Sequence, residues 1–208
     1  MIDANQNMPD WLNVSRETES RLLAYCEIVK KWTPAVNLIA KSTIPDLWRR
    51  HILDSAQLFL FLPPHANHWL DLGSGAGFPG LVIAILAKEY RPALVITLVE
   101  SDRRKAVFLA EAARAVGVSV TIENARAEVL ASKAADVISA RALTSLDRLC
   151  FYAKTHLKAG GVAIFPKGLN AAIEIDAALL KWQFSLEIQA SKTDPSASVL
   201  LLRDIQDA

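Results

Sequence analysis

Apolar residues follow two different rhythms along this chain. In the N-terminal third, Leu22, Leu23, Cys26, Ile28, Val29 and Trp32 recur at helical spacing, which predicts a helix over about 16–32 ended by Pro34. A second helical pattern spans about 45–60, with Leu47, Ile52, Leu53, Leu58 and Phe59 on its buried side and Pro63-Pro64 closing it. Residues 1–14 carry no such period and read as a loosely ordered lead-in. From residue 67 short apolar runs at 68–72, 94–99, 118–122, 135–139 and 161–165 alternate with helical patterns at about 79–89, 102–116, 126–132 and 143–158. Strands separated by crossovers of that length imply a parallel sheet with helices on both faces. A further helix at about 170–181 precedes apolar runs near 183–190 and 197–203, which predicts an antiparallel edge at the C-terminal end. The expected fold is therefore α/β, a doubly wound and mostly parallel sheet. Residues 1–64 form an N-terminal helical extension and 65–208 the main domain, together one compact unit.

Composition narrows the setting. Of 208 residues, 52% are hydrophobic, and the mean hydropathy is +0.23, as expected of strands apolar on both faces. The longest apolar run, LVIAILA, is cut by Lys88 and Glu89, well short of the roughly 18 residues of a membrane span. The opening MIDANQNMPDW has neither the basic region nor the apolar core of a secretory signal, so a cytoplasmic protein is expected. Cys26 and Cys150 are isolated in helical patterns and give neither a disulfide framework nor a zinc pattern. His65 and His68 have no third ligand type nearby and read as a polar loop feeding a strand; no metal is expected. With a net charge of +1, any nucleic-acid partner must be held by local patches. Nothing demands more than a monomer. Trp11, Trp32, Trp48, Trp69 and Trp182 read as core anchors.

The most informative segment runs Asp71-Leu72-Gly73-Ser74-Gly75-Ala76-Gly77-Phe78-Pro79-Gly80, where the first parallel strand turns into its helix. Glycines there allow left-handed backbone and close approach of a ligand, so the turn is a nucleotide-type site at the sheet's carboxyl edge. Gly75, Gly77 and Gly80 satisfy the dinucleotide pattern GxGxxG, a weak signal alone. Asp71 is awkwardly placed for a pyrophosphate, but suits the ammonium group of S-adenosylmethionine, directly or through water. DLGSGAG also resembles the acidic-x-Gly-x-Gly-x-Gly signature of the Rossmann-like class I methyltransferases. Glu100 ends the second strand, where a carboxylate accepts both ribose hydroxyls of an adenosine; NAD uses the same device. Ala127 and Glu128, after the third strand, are candidates to flank the adenine.

A larger set of motifs then resembles one family. Asn37-Leu38, Arg50-His51-Ile52-Leu53-Asp54-Ser55, the loop DLGSGAGFPGL and Glu100-Ser101 with Arg103, Arg104 and Lys105 occur in order. Arg126-Ala127-Glu128, Ser139-Ala140-Arg141-Ala142 with Ser145-Leu146, and Lys167-Gly168 complete the set. Over about residues 20–170 the chain is similar to the bacterial glucose-inhibited division protein B family, the guanine-N7 methyltransferases of small-subunit (16S) ribosomal RNA. The resemblance implies S-adenosylmethionine contacts at Gly73, Phe78, Ala127, Glu128 and Arg141. It also implies one methylated guanine in a stem-loop of the decoding region. Family members often end in a basic, strand-like segment, whereas this chain closes with Arg203-Asp204-Ile205-Gln206-Asp207-Ala208.

The chemistry agrees with that resemblance. Guanine N7 carries an in-plane lone pair and no proton, so it needs alignment with a sulfonium methyl rather than a general base. After the fourth strand stands Ala140-Arg141-Ala142, with neither the Pro-Pro-aromatic motif of amine methylation nor the Pro-Cys pair of pyrimidine-C5 methylation. Arg141 suits the donor's carboxylate or O6 of the guanine; its bland alternative is an ion pair with Asp136 or Asp147. His51 and Asp54 share a helix face and are expected to fix the N-terminal helices to the main domain. RNA contact is expected from Arg49, Arg50, Arg103, Arg104, Lys105 and Lys167. Two other readings compete: an NAD-dependent oxidoreductase, and a ribosome-binding protein that has kept the fold without turnover.

Overall fold

A computed structural model describes residues 8–208; the first half of the lead-in, 1–7, lies outside the described residues. Seven strands form one sheet in the order β3-β2-β1-β4-β5-β7-β6. They are β1 (His68–Leu72), β2 (Val95–Val99), β3 (Thr121–Glu123), β4 (Ala135–Ala140), β5 (Leu157–Lys167), β6 (Trp182–Ala190) and β7 (Ser198–Asp207). The first five pair in parallel, and β7 inserts antiparallel between β5 and β6. Because β1 lies between β2 and β4, the winding reverses at β1 and opens a crevice at its carboxyl end.

Both faces of the sheet are covered, which explains the apolar strands. Trp69, Ile96, Leu98, Val137 and Ile164 face α1 (Arg16–Val36), α3 (Gly80–Tyr90) and α4 (Arg103–Ala115), joined by Leu22, Tyr25, Val29, Ile83 and Phe108. Leu70, Leu72, Val99, Ile138 and Phe165 point the other way, against α5 (Leu146–His156) and α6 (Ala171–Leu179). The apolar side of α1 thus belongs to the same core as the glycine-loop helix α3. Among the described residues no helix is long and apolar enough to cross a membrane.

Four local expectations change. Pro34 does not end α1, which runs to Val36; in the last turn one missing N–H costs little, and Asn37, left-handed at φ 53°, caps it by donating to the Thr33 carbonyl at 2.9 Å. The helix expected over 45–60 is a composite: a 3-10 stretch Lys41–Asp46, a π-turn Trp48–Leu53, the short α2 (Asp54–Ala56) and a 3-10 stretch Gln57–Phe61. Pro45 sits in the first piece, and the widened π-turn carries Arg49, Arg50 and His51. The helix expected over 126–132 is a single 3-10 turn, Ala127–Val129, because it has little to bury: Val129 is 74% exposed. The strand expected over 118–122 begins only at Thr121, since the Val118 N–H donates back to the Ala113 carbonyl of α4.

Candidate active site

The glycine loop leaves β1 with three left-handed residues, Gly73, Gly75 and Gly77 at φ 66°, 57° and 85°. It is held from three directions. From below, the Asp71 carboxylate accepts from the Gly80 N–H at 3.2 Å and from the Ser139 hydroxyl at 2.7 Å. Ser139 in turn accepts from the Trp69 indole N–H at 2.8 Å. From the side, Glu100 accepts from the Gly75 N–H at 2.8 Å and from the Asp102 N–H at 2.7 Å. From α1, the Tyr25 hydroxyl donates to the Ala76 carbonyl. A Cβ on Gly80 would stand 2.7 Å from Asp71 Oδ2 and 2.3 Å from Leu98, so only glycine lets α3 start this close to the sheet.

Asp71, expected to hold the donor's ammonium group directly or through water, lies beneath the loop. Its side chain is fully buried with both oxygens engaged, and burial pushes its pKa up to about 6 against the lowering effect of Ser139, Ser74 and Gly80. Asp71 braces the loop from inside.

Two adjoining cavities open at the carboxyl edge. The smaller, about 220 Å³, is lined by Gly73, Val99, Ser101, Ala125–Glu128, Leu143 and Tyr152. Glu128 is exposed there and accepts from the Tyr152 hydroxyl at 2.7 Å and Arg148 at 3.0 Å; these bonds, Tyr152 first, pull its pKa down to about 2. Buried His156 lies against the Ala127 carbonyl at 3.2 Å and fixes that turn from behind. The larger cavity, about 850 Å³, is lined by Arg49, Arg50, His51, Asp54, Arg141 and Lys167 among others.

Arg141 ties this wall together. Its guanidinium donates to the Arg50 carbonyl at 3.0 Å, to His51 Nδ1 at 2.7 Å and to Asp54 at 3.4 Å, and lies 5.2 Å from the Phe78 ring centre. The ion pair considered for it with Asp136 or Asp147 is not formed. Those carboxylates serve Lys158 and Lys181, while Asp54 comes across from the N-terminal segment. Phe78 is itself sealed between Tyr25 and His51, with ring centres 5.4 and 5.1 Å away. Asp54 also accepts from Gln57 at 2.9 Å and from Thr193 at 2.9 Å, reaching the loop between β6 and β7. Arg49 donates to the Thr193 carbonyl at 2.6 Å.

The site fits an adenosine-type methyl donor. The smaller cavity begins beside the Glu100 strand end and the 127–128 turn, and the missing Cβ of Gly73, which would sit 2.5 Å from Leu143, leaves room for that side chain at the cavity's edge. A family model described as rRNA small subunit methyltransferase G (GidB) matches residues 18–197. The ribosomal RNA small subunit methyltransferase G of Ruegeria sp. (strain TM1040) is 47% identical over 206 residues, 99% of each chain. The protein of the same name from Cereibacter sphaeroides (strain ATCC 17025 / ATH 2.4.3) is 49% identical over 203 residues, 98% of each. The chain belongs to this methyltransferase family.

Membership makes S-adenosylmethionine the donor and sets aside the NAD reading. Among solved structures, a SAM-dependent methyltransferase from Aquifex aeolicus superposes with a TM-score of 0.58 at 11% identity, covering 76% of this chain and 92% of its own. A predicted O-methyltransferase from Agrobacterium tumefaciens reaches 0.58 at 18%, covering 73% and 79%. At such identities the likeness concerns the fold alone, that of the class I methyltransferases.

In the methyltransferase, Gly73, Ala127 and Glu128 line the smaller cavity, with Glu100 at its edge, Gly75 beside it, and Gly77 and Phe78 buried behind. Arg49, Arg50, Arg141 and Lys167 line the larger one; Lys167 is tied to Glu174 at 2.7 Å and to the Thr144 carbonyl at 3.3 Å. Arg103, Arg104 and Lys105 open α4 instead, capped by Asp102, and line neither cavity. Sequence reasoning missed Tyr25, Tyr152, His156 and Thr193. Each acts from an element remote in sequence, 24 to 144 residues from its partner, so no local pattern marks it.

Proposed function

We propose that this methyltransferase transfers the methyl group of S-adenosylmethionine to N7 of one guanine in the decoding region of 16S ribosomal RNA, in the cytoplasm. The substrate reading rests on family membership with relatives that carry this activity's name over nearly their full length. The N7 reading rests on the chemistry of the larger cavity. Its one imidazole, His51, has its acceptor nitrogen filled by Arg141, and the guanidinium beside it is a donor only. These two groups orient an acceptor and take no proton from it, and the nearest carboxylate, Asp54, is engaged by Arg141, Gln57 and Thr193, which suits a ring nitrogen that has no proton to lose.

Bound S-adenosylmethionine supplies an electrophilic methyl on its sulfonium. The chain's own contribution is placement. Glu100, whose oxygens keep free lone pairs beside their bonds to the Gly75 and Asp102 N–H groups, would accept from the ribose hydroxyls, the 127–128 turn would flank the adenine, and the amino-acid half would pass Gly73 beside Leu143. Arg141 faces the guanine side, where a guanidinium donates to O6 beside N7. Arg49, Arg50 and Lys167 carry positive charge around the cavity to phosphates of the RNA. Holding the two partners in line is worth several orders of magnitude in rate without acid–base chemistry.

Tritiated donor offered to ribosomal RNA and small subunits from cells lacking the protein tests this reading. Incorporation by the wild type that disappears in Gly73→Glu supports it. Absence of incorporation on both substrates, with S-adenosylhomocysteine still bound, rejects the acceptor and leaves the donor.

A further inference from the structure

Among the described residues, Leu143 alone lines both cavities. Its side chain lies directly on Gly73: a Cβ there would come within 2.5 Å of Leu143 Cδ1 and 3.2 Å of Cγ. It belongs to no core cluster and remains 39% exposed, an apolar group in a wall otherwise rich in arginine, lysine and carboxylates. The smaller cavity, about 220 Å³, falls below the roughly 300–1,000 Å³ of a site that encloses a whole small molecule. A donor seated there must continue past Leu143 toward the larger cavity.

The backbone around Leu143 is arranged to hold it in place. Ala142 is left-handed at φ 52°, a conformation that residues with a Cβ adopt only when their surroundings enforce it. The enforcement comes from both sides. Arg141 is fastened to His51, Asp54 and Arg50, and the Thr144 carbonyl accepts from Lys167. Two residues further on, the Leu146 N–H donates to Glu174 at 2.9 Å.

We propose that Leu143 is the partition between the nucleoside recess and the acceptor cavity, a positioning residue whose side chain bears on the donor near its sulfonium and keeps water from the line of attack. The proposal rests on the donor and acceptor reading above. An isobutyl group suits this place: it makes shape contacts on both sides, competes for no hydrogen bond and carries no proton. Arg141 orients the base while Leu143 limits where the methyl can stand.

Three variants test it, with S-adenosylhomocysteine binding by calorimetry and steady-state methylation of ribosomal RNA as separate readouts. Leu143→Ala is expected to bind S-adenosylhomocysteine within about threefold of wild type while kcat falls about 10- to 100-fold, the loss typical of a misplaced reacting group. Leu143→Met, of similar volume, is expected to restore kcat to within about threefold. Leu143→Trp fills the junction and is expected to weaken S-adenosylhomocysteine binding by about 100-fold or more, a result read without any acceptor. Wild-type kcat in Leu143→Ala, or unimpaired binding by Leu143→Trp, overturns the partition. So does Leu143→Ala losing binding and thermal stability together, the mark of a merely structural prop. Failure of the wild type to methylate ribosomal RNA would reject the acceptor reading instead, and leaves the binding results of the tryptophan variant to judge the wall.

Discussion

Arg141 donates a 2.7 Å hydrogen bond to Nδ1 of His51, and this bond fixes the histidine's charge and tautomer. Thr43 spends its own hydroxyl hydrogen on the Ala40 carbonyl at 2.8 Å, so it accepts from His51 Nε2–H at 3.0 Å. Burial first, then the charges of Arg141 and Arg50, press the His51 pKa down to about 3. The ring is neutral at physiological pH with no free lone pair. The expected result is a kcat independent of pH between about 6 and 8.5, since an ordinary histidine would titrate near 6.5. An acidic limb near pH 6.5 that vanishes in His51→Gln would instead make His51 a base.

Asp71 gives the opposite kind of pH signature, in stability. Its native pKa, about 6, lies above that of an unfolded aspartate, near 3.9. Between those values the folded chain holds the proton more tightly than the unfolded one, so stability from this group rises as pH falls through 6 toward 4. Urea unfolding of wild type and Asp71→Asn at pH 5 and 7.5 checks it. The wild type should gain on the variant at the lower pH; an equal difference at both places the carboxyl's titration elsewhere.

Gly73 combines a left-handed backbone with the contact on Leu143. Gly73→Ala should lose about 1–3 kcal/mol of stability from the strained φ. It should also weaken S-adenosylhomocysteine binding by about tenfold or more, because its methyl drives Leu143 from its seat. Calorimetry alongside chemical denaturation separates the two effects, and an unchanged affinity would remove Gly73 from the donor site.

Arg49 and Arg50 sit on the π-turn at the rim of the larger cavity. If each meets one RNA phosphate, Arg49→Ala and Arg50→Ala should each lower the slope of log affinity against log salt by about 0.7, with no change in S-adenosylhomocysteine binding. The same slope in wild type and variants would locate the phosphate contacts on another face, with the α4 cluster Arg103, Arg104 and Lys105 as the next to examine.

The order of strands and helices was legible in the sequence because the central parallel strands are apolar on both faces and bounded by turn residues, as in HWLDL before the glycine loop. The antiparallel edge was legible from the apolar runs near 183–190 and 197–203. The stretch 41–61 was not: its apolar spacing is helical on average, but Pro45 and the contacts of His51 and Asp54 with Arg141 break it into 3-10, π and α pieces. At the carboxyl edge, Gly73, Glu100 and Ala127 announced themselves through position at or after strand ends. Asp71 announced itself equally well yet faces inward, since a sequence shows which residue ends a strand but not which groups close over it. The partner of Arg141 was invisible for another reason. Asp54 is 87 residues away, and only the docking of the N-terminal segment on the carboxyl edge brings them together.

The central claim is that methyl transfer falls on guanine N7, and the direct test is chemical. Small-subunit RNA methylated in vitro by the wild type is reduced with borohydride, cleaved with aniline and read by primer extension. One new cleavage is expected, at a guanine of the decoding region, dependent on donor and absent with Gly73→Glu. Incorporated methyl groups that yield no cleavage would contradict it, because they would lie on an exocyclic amine, a carbon or a ribose rather than on N7.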